Sequence, residues 1–153
     1  MSLALMASYS SFLNVLIEQR RYCFITHIYL KIVPANFFKR FSFCAGNFFL
    51  EIPAANLYLL KLVLSEWEDD SCVCILSNIR KAMLPGAKIM LFEMMAEVGN
   101  VEAALMDINI LALSLGKVRT LDQYKALFEI SDLCFVKIIR LACPLVCFEI
   151  SAI

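Results

Sequence analysis

Apolar runs of strand length alternate along this chain with longer stretches in which apolar residues recur at helical spacing, the sequence form of an α/β domain. Residues 3–6 predict an opening strand. Residues 11–20, apolar at 12, 13, 15, 16 and 17 and polar at 18 to 20, predict a helix. Residues 23–30, rich in Ile, Tyr and Phe, predict a strand, and residues 41–45 a shorter one ended by Gly46-Asn47. The apolar run 57–64 stops at Ser65-Glu66-Trp67-Glu68-Asp69-Asp70. That acidic cluster suits the positive end of a helix dipole and predicts a helix running to about Met83. Pro85-Gly86 then ends the helix and turns the chain into a strand at 88–94. A helix over 101–115 is stopped by Gly116. Thr120 and Gln123 have the spacing of a capping box and open a helix to about Ile130. Two strands, 134–140 and 145–150, flank Pro144 and predict a hairpin. The pattern as a whole predicts a parallel sheet with an antiparallel hairpin at one edge.

Composition sharpens this reading. The chain has 153 residues, enough for a single domain over 1–153. Lys+Arg and Asp+Glu both number 14, so the net charge is zero, which argues against a nucleic-acid-binding domain with its usual basic face. Hydrophobic residues are 61% and charged ones 18%, against roughly 45–50% and 25% in ordinary domains, which excludes disorder. A mean hydropathy of +0.76 raises the membrane question. Lengths answer it, because a spanning helix needs about 20 mostly apolar residues. The longest charge-free run, residues 1–17, carries four serines and an asparagine. It also lacks the leading Lys or Arg of a secretory signal. The excess apolarity fits strands buried on both faces, or a surface normally covered by a partner.

Seven cysteines form no C-x-x-C pair, and Cys72 and Cys74 are two apart in a helical stretch, on different faces. The expectation is free, packed cysteines in a reducing, cytoplasmic setting, with no metal site. The single His27 sits in an apolar run, where a packed imidazole is expected.

From residue 41 onward the order of residues resembles a known family. Gly46-Asn47-Phe48-Phe49 with Ile52-Pro53, then Leu57-Tyr58-Leu59-Leu60-Lys61, then Leu64-Ser65-Glu66-Trp67-Glu68-Asp69 are similar to the S-adenosylmethionine-dependent small-molecule O-methyltransferases of the caffeate and acetylserotonin type. That family reads G-D-x-F, a strand ending in Lys, then L-H-D-W-x-D. Asn78-Ile79-Arg80-Lys81-Ala82 with Pro85-Gly86, Glu93 at a strand end, Met106-Asp107-Ile108-Asn109-Ile110-Leu111 and Gly116-Lys117-Val118-Arg119-Thr120 follow in the family's order. The resemblance is good over 41–150 and weak over 1–40, where Ala7-Ser8-Tyr9-Ser10 occupies the family's glycine-rich turn.

The resemblance implies a Rossmann-like methyltransferase fold, mostly parallel, with helices on both faces and S-adenosylmethionine across the carboxyl ends of the strands. It also implies that the dimerisation domain family members carry ahead of this one is absent. Asn47, Phe48, Lys61 and Trp67 are the implied cofactor-binding residues, although a solvated strand end explains Lys61 equally well. Met106, Asp107 and Asn109 are the implied acceptor-binding residues. Met90, Phe92 and Met94, at strand spacing, read as core.

Three positions carry the implied chemistry. The family's base is the His of L-H-D-W, here Ser65, and a serine hydroxyl is no base at neutral pH. The acid of G-x-E-R-T that helps hold the His is here Val118. The second supporting acid is kept as Glu93. The expectation is therefore an impaired O-methyltransferase domain acting on a small hydroxylated or phenolic acceptor. The alternatives are a non-catalytic, methyltransferase-like binding or dimer-partner module, as a homodimer or paired with a full-length relative, or a decayed fragment.

Overall fold

The computed structural model describes residues 12–17, 22–26 and 41–153, with side chains from Asn47 onward. Seven strands form one sheet in the order β3-β1-β2-β4-β5-β7-β6. They are β1 (Phe12–Ile17), β2 (Tyr22–Thr26), β3 (Phe41–Gly46), β4 (Ala55–Lys61), β5 (Met83–Glu93), β6 (Leu133–Arg140) and β7 (Val146–Ala152). The helices are α1 (Asp69–Ala82), α2 (Val101–Leu113) and α3 (Leu121–Ile130), with a single 3-10 turn at Leu64–Glu66.

The centre of the sheet is parallel: β2 pairs with β4 and β4 with β5. Parallel neighbours need a crossover, and α1 supplies the one between β4 and β5. The remaining four pairings are antiparallel, β1 with both β2 and β3, and β7 with both β5 and β6. The sheet is therefore mixed where a mostly parallel one was expected. The C-terminal hairpin is as expected.

The departure starts at residues 11–20, where the pattern predicts a helix and the chain forms β1. A short apolar run fits either element by periodicity alone, and here pairing on both edges decides it. The short link from β1 to β2 then fixes those two as antiparallel. A second difference lies at Pro85-Gly86. Helix α1 ends at Ala82, before the proline, and β5 begins at Met83, so these residues lie within a strand. Gly86 takes φ +75 there, beside an irregular register between Ala55 and Leu57 of β4. Proline lacks the N–H that a regular ladder would use. The expected strand at 3–6, the glycine-rich turn at 7–10 and His27 lie outside the described residues.

Registers Tyr58↔Ile89, Leu60↔Leu91, Ile89↔Ile150 and Leu91↔Phe148 place these side chains together on one face. All are fully buried. Against them α1 lays Cys72, Ile75, Leu76 and Ile79, and α3 lays Tyr124, Leu127 and Phe128. Each large side chain so covered contributes roughly 1.5–3 kcal/mol. Helix α3 starts at the expected capping box, with Thr120 and Gln123 bonding reciprocally. Helix α2 sits apart. Its Ala103 and Ile110 join Met94 and Val118 in a second, smaller cluster at the carboxyl end of β5. No helix among the described residues is long and apolar enough to cross a membrane.

Candidate active site

The carboxyl ends of β4 and β5 define the site. Leaving β4, the chain passes through Leu62 at φ 51, whose amide donates to the Phe92 carbonyl at 2.9 Å. It then tightens into the 3-10 turn that carries Ser65. Glu93, the last residue of β5, lies directly under that turn. Its Oε1 accepts the Leu64 amide at 2.8 Å and the Ser65 amide at 3.4 Å. Glu93 is fully buried, and its Oε2 has no hydrogen-bond partner among the described residues. Burial pushes its pKa up to about 7, partly opposed by the Ser65 side chain and the nearby amides. Ser65 is 3% exposed.

Arg119 holds the turn from the other side. It is fully buried, and its guanidinium donates to the Leu64 carbonyl at 2.8 Å and the Trp67 carbonyl at 2.7 Å. Its Nε and the same Nη2 reach Asp69 Oδ1 at 2.9 and 2.7 Å. Lys117 takes the other Asp69 oxygen at 2.7 Å, and the Lys117 and Arg119 bonds hold that carboxyl below its usual pKa despite partial desolvation. The Arg119 carbonyl in turn accepts the Ala96 amide at 2.9 Å, tying the segment to the end of β5. Cys72 donates its thiol to the Leu64 carbonyl at 3.2 Å, and burial raises its pKa to about 12. Tyr124 reaches the Met94 carbonyl at 3.4 Å, with burial first and Glu93 second raising its pKa well above the ordinary value.

Gly116 completes the clamp. A Cβ there would lie 1.9 Å from the Ser65 carbonyl oxygen and 2.5 Å from the Glu66 carbonyl carbon, so the two backbones meet where only hydrogen fits.

The expected site residues divide into groups. Ser65, Glu93 and the 116–119 segment come together. Val118 is buried beside Met94, and its amide donates to Asp107 Oδ1 at 2.7 Å. The Asp107 carboxylate, implied as an acceptor contact, thus ties α2 to the clamp. Met106 is half-buried against the second cluster, and Asn109 is exposed, bonding back to the Leu105 carbonyl at 3.0 Å. Asn47 Oδ1 accepts the Phe49 amide at 2.9 Å and shapes the turn after β3. Asn78 of α1 braces that turn, donating to the Phe48 and Phe49 carbonyls. Phe48 is 1% exposed and meets Trp67 edge-on with ring centres 6.1 Å apart. Trp67 is half-buried and packs on Phe49 at 4.9 Å. Lys61 is exposed at the carboxyl end of β4. No His/Cys/Asp/Glu group suited to a metal occurs among the described residues.

A cleft of about 570 Å³ opens beside this site, between residues 95–100 and the β6–β7 turn, with the Glu97–Arg140 ion pair (2.6 Å) on its walls.

The match to a protein-family model decides the family: residues 29–132 fit the O-methyltransferase domain. The chain belongs to that family. Among curated relatives of this O-methyltransferase domain, O-methyltransferase 9 of Dictyostelium discoideum is 38% identical over 96 residues, which are 61% of this chain and 27% of that protein. The crystal structure of LaPhzM superposes with a TM-score of 0.70 at 31% identity, over 72% of this chain and 34% of its own. Human N-acetylserotonin methyltransferase, solved in complex with SAM, gives 0.66 at 25% identity, over 70% of this chain and 32% of its own. The domain described here therefore spans about a quarter to a third of these relatives.

Arg119 is the residue that sequence reading undervalued in this O-methyltransferase domain. It stood in the Gly116–Thr120 motif without a role. The available signal was a lone arginine in a motif whose natural partners are the acidic residues opening α1.

Proposed function

We propose that this domain binds S-adenosylmethionine and passes its methyl group to the oxygen of a small hydroxylated or phenolic acceptor, at a rate limited by Ser65. The observation that carries the reading is the support built around Ser65. Glu93, Arg119 and Gly116 fix the turn from three sides, although the residue they hold has no basic side chain. Positioning of this kind is what methyl transfer chiefly asks of a protein.

The described residues fit the cofactor in a specific way. Lys61 offers an exposed cation at a strand end, suited to a carboxylate. Trp67 offers the flank of an indole, backed by the buried Phe48. Asn47 has its oxygen engaged in the turn, which leaves its Nδ2 as the donor toward a ligand. When bound, S-adenosylmethionine supplies an electrophilic methyl on a sulfonium. The chain's own part is to hold the acceptor near Met106 and Asn109, to keep the turn rigid, and to remove one proton. The missing imidazole should cost on the order of 10²–10⁴ in rate.

The loss of both the base and the Val118 acid favours a second reading, a non-catalytic binding module. A decayed fragment is a weaker form of it. Self-association or pairing with a longer relative belongs to the proposal as well. It is supported by α2, which leaves Leu105, Ile108 and Leu111 exposed. Sedimentation should show association, and a clean monomer at high concentration would count against it. A reducing, cytoplasmic setting is supported by Cys72, Cys74, Cys134, Cys143 and Cys147, all free.

Calorimetry with S-adenosylmethionine tests the cofactor reading. Affinity in the micromolar range is expected. No heat at millimolar cofactor would leave only a partner role.

A further inference from the structure

Glu93 has a feature that a purely structural carboxylate would not need. Its Oε1 is satisfied by two amides of the 3-10 turn, but its Oε2 is buried with no partner among the described residues. Leaving a carboxylate oxygen in that condition costs free energy unless a proton or a ligand group completes it. The neighbours do not supply one. From α1, Cys72 gives its thiol hydrogen to the Leu64 carbonyl. From α3, Tyr124 gives its hydroxyl hydrogen to the Met94 carbonyl. Arg119, in the 117–119 segment, spends its donors on Leu64, Trp67, Lys117 and Asp69. What remains is Ser65, whose amide lies 3.4 Å from the other oxygen of the same carboxyl and whose hydroxyl can both donate and accept.

We infer that Glu93 is the proton acceptor of this domain, with the Ser65 hydroxyl as the relay between it and the acceptor's oxygen. In the step, the acceptor's O–H bond breaks and its proton passes to Ser65 Oγ. The proton that Oγ carried passes to Glu93 Oε2. The acceptor is left with a negative oxygen, Glu93 becomes neutral, and Ser65 ends as it began. A carboxyl with its pKa near 7 suits that transfer, since a base works best when its pKa lies near the working pH. The inference rests on reading this chain as a methyl-transfer domain.

The test uses 3-nitrophenol, whose ionised form is coloured and which stays largely protonated in solution just above pH 7, with infrared spectroscopy of the carboxyl. In the unaltered chain a protonated-carboxyl band should titrate near pH 7 and be missing in Glu93→Gln, which can still accept the Leu64 amide. Just above pH 7, where Glu93 is ionised and free 3-nitrophenol is still largely protonated, adding 3-nitrophenol should raise that band and the bound phenolate colour together. Ser65→Ala should keep the titrating band, lose the coupled colour, and lower methyl transfer on the order of 10²-fold or more. Equal phenolate in Ser65→Ala, or no bound phenolate in the unaltered chain, would overturn the inference. Should Glu93→Gln fail to fold, Ser65→Ala decides alone. Calorimetry with S-adenosylmethionine separates the two readings: absent cofactor binding removes the methyltransferase reading and leaves the proton result to stand or fall by itself.

Discussion

Arg119→Met is expected to destabilise the fold by about 2–5 kcal/mol, a large part of the roughly 5–15 kcal/mol that holds an ordinary domain together. The reason is where the guanidinium's partners lie. Asp69 is half exposed and recovers water easily when its arginine leaves. The Leu64, Trp67 and Lys117 carbonyls receive the other bonds of the buried guanidinium, and methionine offers them no donor. Arg119→Lys should recover little, because an ammonium gathers its three donors at one point and lacks the planar fork that reaches the Leu64, Trp67 and Lys117 carbonyls and Asp69 together. Lys117→Met is the control. It breaks an exposed ion pair to the same Asp69 and should stay within about 1 kcal/mol. Urea unfolding checks all three, read as a fall in midpoint at constant slope. An Arg119→Met midpoint equal to that of the unaltered chain would mean the clamp is not what holds the turn.

Ser65→His combined with Val118→Glu is expected to give more methyl transfer than the sum of the two single changes. Histidine at 65 restores a group whose ordinary pKa leaves it neutral at physiological pH. Alone it has only Glu93 to orient it, and Glu93 is already bonded to the turn amides. Val118→Glu alone puts a carboxylate into a small apolar cluster with the Asp107 carboxylate bonded to the same residue's amide, and should cost stability with no gain in rate. Together the imidazole and the new carboxylate can satisfy each other, so the double variant should recover rate on the order of 10²-fold or more. The assay is transfer to catechols and hydroxyindoles at saturating cofactor. Turnover of the unaltered chain equal to the double variant would show that the base has been placed at the wrong residue.

What could be read from the sequence was largely local. The capping box of Thr120 and Gln123 lies within four residues and needs no tertiary information, and α3 begins where it says. The acidic opening of α1 and the closing hairpin are similarly self-contained. β1 failed because its identity depends on two neighbours, β2 and β3, and an apolar run of that length is ambiguous by itself. Pro85-Gly86 failed for a related reason. A proline signals the end of a helix, but here the chain had already left α1, and the tolerance of an irregular parallel ladder decided the rest.

The site followed the same rule. Ser65, Glu93 and Val118 could be aligned by motif order. That Asp107 bonds to the Val118 amide, or that Arg119 is fully buried, depends on residues far apart in the chain. Phe48 shows the difference well. Its place in a motif pointed to the cofactor, and only the structure shows that it is buried with its ring edge-on to Trp67.

The most direct measurement of the central claim is the indole N–H resonance of Trp67 during titration with S-adenosylmethionine. The chain has a single tryptophan, so the signal is assigned without ambiguity. A domain that binds the cofactor beside Lys61 and Trp67 should show a saturable shift of that resonance, weakened in Lys61→Ala. An indole signal unmoved at millimolar cofactor would contradict the account.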